Sequence, residues 1–142
     1  MLTKSSEYAI RSLLYLSTIE NGRKAGVEEI ALAINSPKAY TSKILQELSK
    51  QKIINSLKGP TGGFYLTPSQ LNNNLIKVIY TFEGEHFFEK CILGLSECSS
   101  MEPCPMHSQF ESMRLQLETL FSSTTVQDLT NDLLNHKILL KR

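Results

Sequence analysis

Apolar residues recur at mixed three- and four-residue steps near the start of the chain: Tyr8, Ile10, Leu13, Leu14, Leu16 and Ile19. The spacing predicts a helix over 3–20, with Thr3 as its N-cap and Asn21-Gly22 as its stop. So many apolar positions imply a helix buried on more than one side. A second, short helix over 27–34 follows from Ile30, Ala31 and Ile34, and Asn35-Ser36-Pro37 breaks it. Ser36 suits an N-cap and Pro37 a first helical position. A third helix therefore runs from Pro37 to about Gln51, with Tyr40, Ile44, Leu45 and Leu48 as its buried stripe. From Ile53 the pattern changes to alternation. Residues 53–57 and 64–67 predict two strands around the turn Lys58-Gly59-Pro60-Thr61-Gly62-Gly63. A helix-turn-helix followed directly by a β-hairpin is the element order of a winged helix.

Beyond the wing, Leu75, Ile76, Val78, Ile79 and Phe82 predict a helix that Gly84 ends. Residues 85–104 show no sustained period. Pro105 then opens a long helix in which Met106, Phe110, Met113, Leu117 and Leu120 step by four, three, four and three, a short heptad seam. Such a seam serves either packing on its own domain or pairing with a second copy. A DNA-binding module that reads two half-sites favours the second use. Thr124 or Thr125 caps a last helix through Val126, Leu129, Leu133 and Leu134, after which the terminus is expected to fray. The expected fold is mainly α: a winged helix-turn-helix over 1–82, a cysteine-bearing loop over 83–105, and a long dimerisation helix with a C-terminal helix over 106–142.

A chain of 142 residues suits one domain, or one small domain with an appendage. No apolar run approaches the ~20 residues of a membrane span. Lys4, Glu7 and Arg11 interrupt the region where a secretory signal would be apolar, so a cytoplasmic protein is expected. The net charge of +1 hides an asymmetry: residues 1–82 carry +5 and residues 83–142 carry −4. A basic front points to a polyanionic partner, double-stranded promoter DNA. On the third helix, Ser42, Lys43 and Gln46 are candidates for base edges or phosphates in the major groove, Lys50 and Lys52 for phosphate, and Lys38 is a further DNA-contacting candidate. Lys58 at the wing tip, flanked by Gly59, Thr61 and Gly62, is the candidate for the minor groove.

The three cysteines all fall between 91 and 104, an odd number in one cluster, unlike a secreted disulfide framework. Cys91, Cys98, Cys104 and His107 are spaced C-x6-C-x5-C-x2-H. Zinc fingers favour ligand pairs two to four residues apart. Thiolates spread over a longer loop can wrap an iron–sulfur cluster, wider than one ion. Three unligated thiols, a thiol-redox switch and a zinc-binding interaction module are the other readings of this segment. Phosphate loops, nucleophile elbows and paired-carboxylate patterns are missing from the sequence, and the histidines are scattered, so no enzyme is expected.

The sequence resembles the bacterial Rrf2 winged-helix transcription regulators over nearly its whole length. The resemblance rests on Leu2-Thr3-Lys4 with Tyr8-Ala9, on Tyr40-Thr41-Ser42-Lys43-Ile44-Leu45-Gln46-Glu47-Leu48, and most specifically on the wing, Lys58-Gly59-Pro60-Thr61-Gly62-Gly63-Phe64-Tyr65-Leu66. It adds Tyr40 to the DNA-contacting candidates. The cysteines are similar to those of the cluster-binding branch, with its iron–sulfur cluster regulator and its nitric-oxide-sensing repressor. That implies a homodimeric repressor whose operator binding follows the state of an iron–sulfur cluster, with 2Fe–2S favoured over 4Fe–4S. The implied ligands are Cys91, Cys98 and Cys104, with either His107 or the partner subunit's Glu7 as the fourth. Two departures stand out. The family's wing arginine is Lys58, which removes a bidentate contact, and the first cysteine gap is one residue longer than the family's usual five.

Overall fold

The computed structural model describes residues 1–136 and 140. Its elements are α1 (Lys4–Thr18), α2 (Val27–Ile34), α3 (Lys38–Lys50), β1 (Asn55–Leu57), β2 (Gly63–Tyr65), α4 (Ile76–Glu83), α5 (His107–Ser123) and α6 (Val126–His136), with 3-10 turns at Pro68–Asn72 and Phe87–Glu89. This is the mainly helical winged-helix order read from the sequence. The expected fraying of the terminus concerns residues that lie largely outside those described.

α1 is the central pillar and packs on α2, α3, α4 and α6. Its Ala9 and Leu13 are fully buried, and they share a core with Ile30, Ile34, Leu45, Leu48, Ile54, Ile79 and Val126. Thr3 caps it as expected, accepting from the Ser6 N–H. It ends at Thr18, two residues early, because the Ser17 and Thr18 hydroxyls donate to the carbonyls of Leu14 and Tyr15. The cap of α3 also differs from expectation. Pro37, extended at ψ 131°, is itself the N-cap. Ser36 instead pairs with the Thr41 hydroxyl, which donates onward to the Pro37 carbonyl at 2.9 Å.

The wing strands are shorter than the alternation suggested. Ile53 and Ile54 are core residues, and the ladder begins only at Asn55, with Asn55 opposite Tyr65 and Leu57 opposite Gly63. Ala25 extends the ladder on the far side through two hydrogen bonds with Phe64, at 2.9 and 2.8 Å. Glycine is required where these chains meet. A Cβ on Gly62 would lie 2.0 Å from the Leu57 carbonyl oxygen, and Gly63, at φ +144°, would meet that of Ala25 at 2.9 Å. At the other end of the molecule the Leu75 N–H binds the Thr124 carbonyl and the Val126 N–H binds the Asn73 carbonyl, each at 3.0 Å. This fastens the entry to α4 to the α5–α6 turn. Thr125, not Thr124, then caps α6, in reciprocal bonds with Asp128.

The heptad seam on α5 divides. Phe110 and Leu117 are partly buried against the chain's own body, whereas Met106, Met113 and Leu120 are 43%, 65% and 56% exposed. No helix among the described residues is long and apolar enough to cross a membrane.

Candidate nucleic-acid interface and cysteine centre

α3 presents one face to solvent because its other face carries Thr41, Ile44, Leu45 and Leu48 into the core. Lys38, Lys43, Gln46 and Lys50 lie on the open side with Ser42 half-buried, and Lys52 is exposed just beyond the helix end. Gln46 reaches back to the Ser42 hydroxyl at 3.3 Å, which presents the two side chains together. Lys38 stands 3.7 Å from Glu28 at the start of α2. Tyr40 faces inward: its hydroxyl bonds Ser5 at 2.6 Å and its ring packs edge-on against Tyr8. These contacts tie α3 to α1. In the wing, Lys58, Gly59 and Thr61 are exposed and Gly62 is half-buried.

Two basic residues of the front half are engaged with other groups. The Arg11 guanidinium donates to the Ile34 carbonyl at 2.9 Å, closing the end of α2. Arg23 is paired with Glu29 at 2.7 Å. One cation that sequence pattern did not single out is instead beside the wing: Lys24 lies over the Tyr65 ring, 5.4 Å from its centroid. Its position follows from the Ala25–Phe64 bridge, and a bridge of that kind leaves no periodic signal in a connecting loop.

The cysteine segment folds back on the start of α5. Cys91 is buried and its sulfur lies 3.8 Å from that of Cys104. Backbone N–H groups of Leu93 and Leu95 point at Cys91, and with the Cys104 contact they hold its thiol below the ordinary thiol range despite burial. Cys98, half-buried, lies 3.3 Å from Nδ1 of His107. His107 opens α5 and is 7% exposed. Its Nε2 is buried without a hydrogen-bond partner and stands 3.7 Å from the Glu111 carboxylate. Glu111 escaped the sequence reading, although its position one turn after His107 was the available signal.

The four residues thus form two pairs. Among the described residues no three His, Cys, Asp or Glu side chains gather closely enough to share a single metal ion. Cys91 and Cys98 border adjoining spaces that share Lys90 and Arg114. Cys91 borders an apolar cavity of about 360 Å³ with Phe88, Ile92, Phe110 and Met113. Cys98 borders a more open cleft rimmed by the charged side chains of Lys90, Glu97 and Arg114 and by His86. Glu7 is on the first turn of α1, bound to Lys4 at 2.6 Å.

Comparison with known proteins agrees with this architecture. The chain is 34% identical over 126 residues to an HTH-type transcriptional regulator from Aquifex aeolicus, covering 87% of each sequence. It is 26% identical over 141 residues to the HTH-type transcriptional regulator NsrR of Geobacillus kaustophilus, covering 99% of this chain and 96% of that one. Among solved structures, CymR, the global cysteine regulator of B. subtilis, superposes with a TM-score of 0.76 at 18% identity, over 92% of this chain and 96% of that one. IscR of T. potens superposes with a TM-score of 0.70 at 16% identity, over 93% and 87%. Residues 2–132 match the Rrf2 family, described as iron-dependent transcriptional regulators. A match over all but the last few residues, on a winged-helix frame with the recognition surface open, makes this chain a member of the Rrf2 family and a transcriptional regulator.

Proposed function

We propose that this regulator binds promoter DNA as a homodimer and holds a 2Fe–2S cluster on Cys91, Cys98, Cys104 and His107 that governs that binding. The observation that carries the reading is the division of the ligands into two pairs. Two sulfurs bound tetrahedrally to one metal at ~2.3 Å stand about 3.8 Å apart, which is the Cys91–Cys104 separation of 3.8 Å. Cys98 and His107 Nδ1, 3.3 Å apart, form a second such pair. A cluster of two irons takes two protein ligands on each, so two separate pairs suit it. A zinc ion needs four donors around one point, and the described residues offer no such group.

The donor set also supports His107 over the partner subunit's Glu7 as fourth ligand. With Nδ1 toward the metal, Nε2 becomes an N–H donor facing Glu111 at 3.7 Å, the carboxylate–histidine arrangement common around bound metals. The cluster, when bound, supplies a redox-active and chemically labile tether. The chain's own part is to hold the cysteine loop over 83–105 against the start of α5, between the winged helix of 1–82 and the dimerising part of 106–142. The family's description as iron-dependent supports this.

On DNA, Ser42, Lys43 and Gln46 enter the major groove, Lys38, Lys50 and Lys52 meet phosphates, and Lys58 with Gly59, Thr61 and Gly62 follows the adjacent minor groove. Tyr40 contributes by tying α3 to α1. The work is done in the cytoplasm.

The test is anaerobic purification of the full chain with iron and acid-labile sulfide assays and absorption spectra. Two irons and two sulfides per chain are expected. Colour should be lost in each cysteine-to-serine variant, weakened in His107→Ala and unchanged in Glu7→Ala. A colourless chain after anaerobic reconstitution, or one carrying zinc alone, overturns the reading.

A further inference from the structure

We infer that Cys91 and Cys104 are a disulfide-forming pair in the cluster-free chain, and that Cys98 stays outside it as a free thiol. The inference rests on the proposed cluster site only in using the same residues. The two sulfurs are in contact at 3.8 Å across thirteen residues of chain. Cys98 differs in both neighbour and surroundings. It touches the imidazole of His107, which cannot complete a disulfide, and it borders the more open cleft beside His86 and Glu97, while Cys91 borders the apolar cavity with Phe88 and Phe110.

The chemistry needs a two-electron oxidant, and a hydroperoxide serves. Cys104 is the more accessible of the pair and Cys91 is buried, so attack begins at Cys104. The Cys104 sulfur displaces water from hydrogen peroxide and becomes a sulfenic acid. The Cys91 sulfur then attacks the Cys104 sulfur; an S–S bond forms, the S–OH bond breaks, and a second water leaves. Two thiols have lost two electrons and two protons, and the peroxide O–O bond has received them. A dithiol reductant reverses the change.

The bond would occupy one of the two ligand pairs and tie the start of the loop to the residues just ahead of α5. Oxidised apoprotein would then be unable to take up a cluster until it is reduced. Cluster loss would thereby be followed by a second, covalent and reversible state.

The experiment uses the full-length, iron-free chain treated with one equivalent of hydrogen peroxide, unfolded, alkylated and digested. Cleavage after glutamate combined with cyanogen bromide cleavage after methionine suits the sequence, because Glu89, Glu97, Met101 and Met106 place the three cysteines on three different peptides. The expected product joins the Cys91 and Cys104 peptides, two mass units below their sum, with Cys98 alkylated. Cys98→Ser should give the same linkage in the same yield. A disulfide containing Cys98, or Cys91 and Cys104 both alkylated while Cys98 alone is oxidised, overturns the inference. The outcome is separable from that for the cluster: a chain that never binds iron yet links Cys91 to Cys104 loses the cluster reading and keeps this one.

Discussion

Glu83 shows how a single side chain joins distant parts of this fold. It accepts the Thr3 N–H and the Thr3 hydroxyl, each at 2.8 Å, together with the Ser6 hydroxyl, so the last residue of α4 closes the first turn of α1. Burial pushes its carboxyl up, but the bonds from Ser6 and Thr3 outweigh that and hold it below the usual value of 4.5. A depressed folded-state value gives stability that is present above 4.5 and lost as pH falls through the folded value. The melting temperature of the wild type should therefore fall with acid across that range. Glu83→Gln should melt lower at neutral pH and follow a flatter acid limb. Parallel melting curves would show that Glu83 contributes no such linkage. The Thr3 cap was legible from the sequence, since an N-cap announces itself locally. Its carboxylate partner eighty residues away was not, because nothing in local spacing records a contact made by folding.

At the scale of elements, helices were legible and their ends less so. The stripes of α1 and α3 put Leu13, Leu45 and Leu48 in the core as their spacing required. The wing was legible as a hairpin, yet its length was not: Ile53 and Ile54 alternate with nothing and serve the core instead. The cysteine segment carried its chemistry in composition alone. Its pairing of Cys91 with Cys104 and Cys98 with His107 depends on a loop without period, which only the folded chain displays. α5 lies between these cases, since its seam was visible but not its division into inward and outward halves. The outward half makes a clear prediction. Met113 and Leu120 are 65% and 56% exposed, so replacing both with glutamate should leave the monomer's core intact. Across a dimer axis the same charges would face each other in an apolar contact and be strongly unfavourable. Sedimentation should show a dimer for the wild type and a monomer for M113E/L120E, with unchanged helical content. A wild-type monomer at micromolar concentration would remove α5 as the pairing element.

For the whole molecule, charge placement matters more than net charge. The front half carries +5, but Arg11 is bound to the Ile34 carbonyl and Arg23 is paired with Glu29, which leaves the lysines of α3 and the wing as its candidates for a polyanion. Binding to operator DNA should weaken steeply with salt, because each phosphate contact releases counterions. In log–log form the slope for Lys58→Ala should be smaller than that of the wild type by roughly one, with similar losses on all DNA sequences. Gln46→Ala should instead leave the slope unchanged and relax sequence preference. An affinity indifferent to salt would contradict the assignment of this face. In the proposed dimer, two recognition helices would have to meet grooves ~34–36 Å apart, so any change in the relation of the two subunits would act on both contacts together.

The bonds that fasten residues 73–75 to residues 124–126 give α5 an unusual mechanical character. One end of the helix is pinned to the body of the molecule; the other begins at His107, in contact with Cys98. A helix of seventeen residues is a rod of about 25 Å, and a tilt of about 5° at the pinned end would carry the opposite end roughly 2 Å. Leu120, close to the pivot, would scarcely move, while Met106, at the far end, would take the whole displacement. In the proposed dimer, two such rods paired along their outer edges would behave as the blades of a pair of scissors, with the cysteines where the blades are longest.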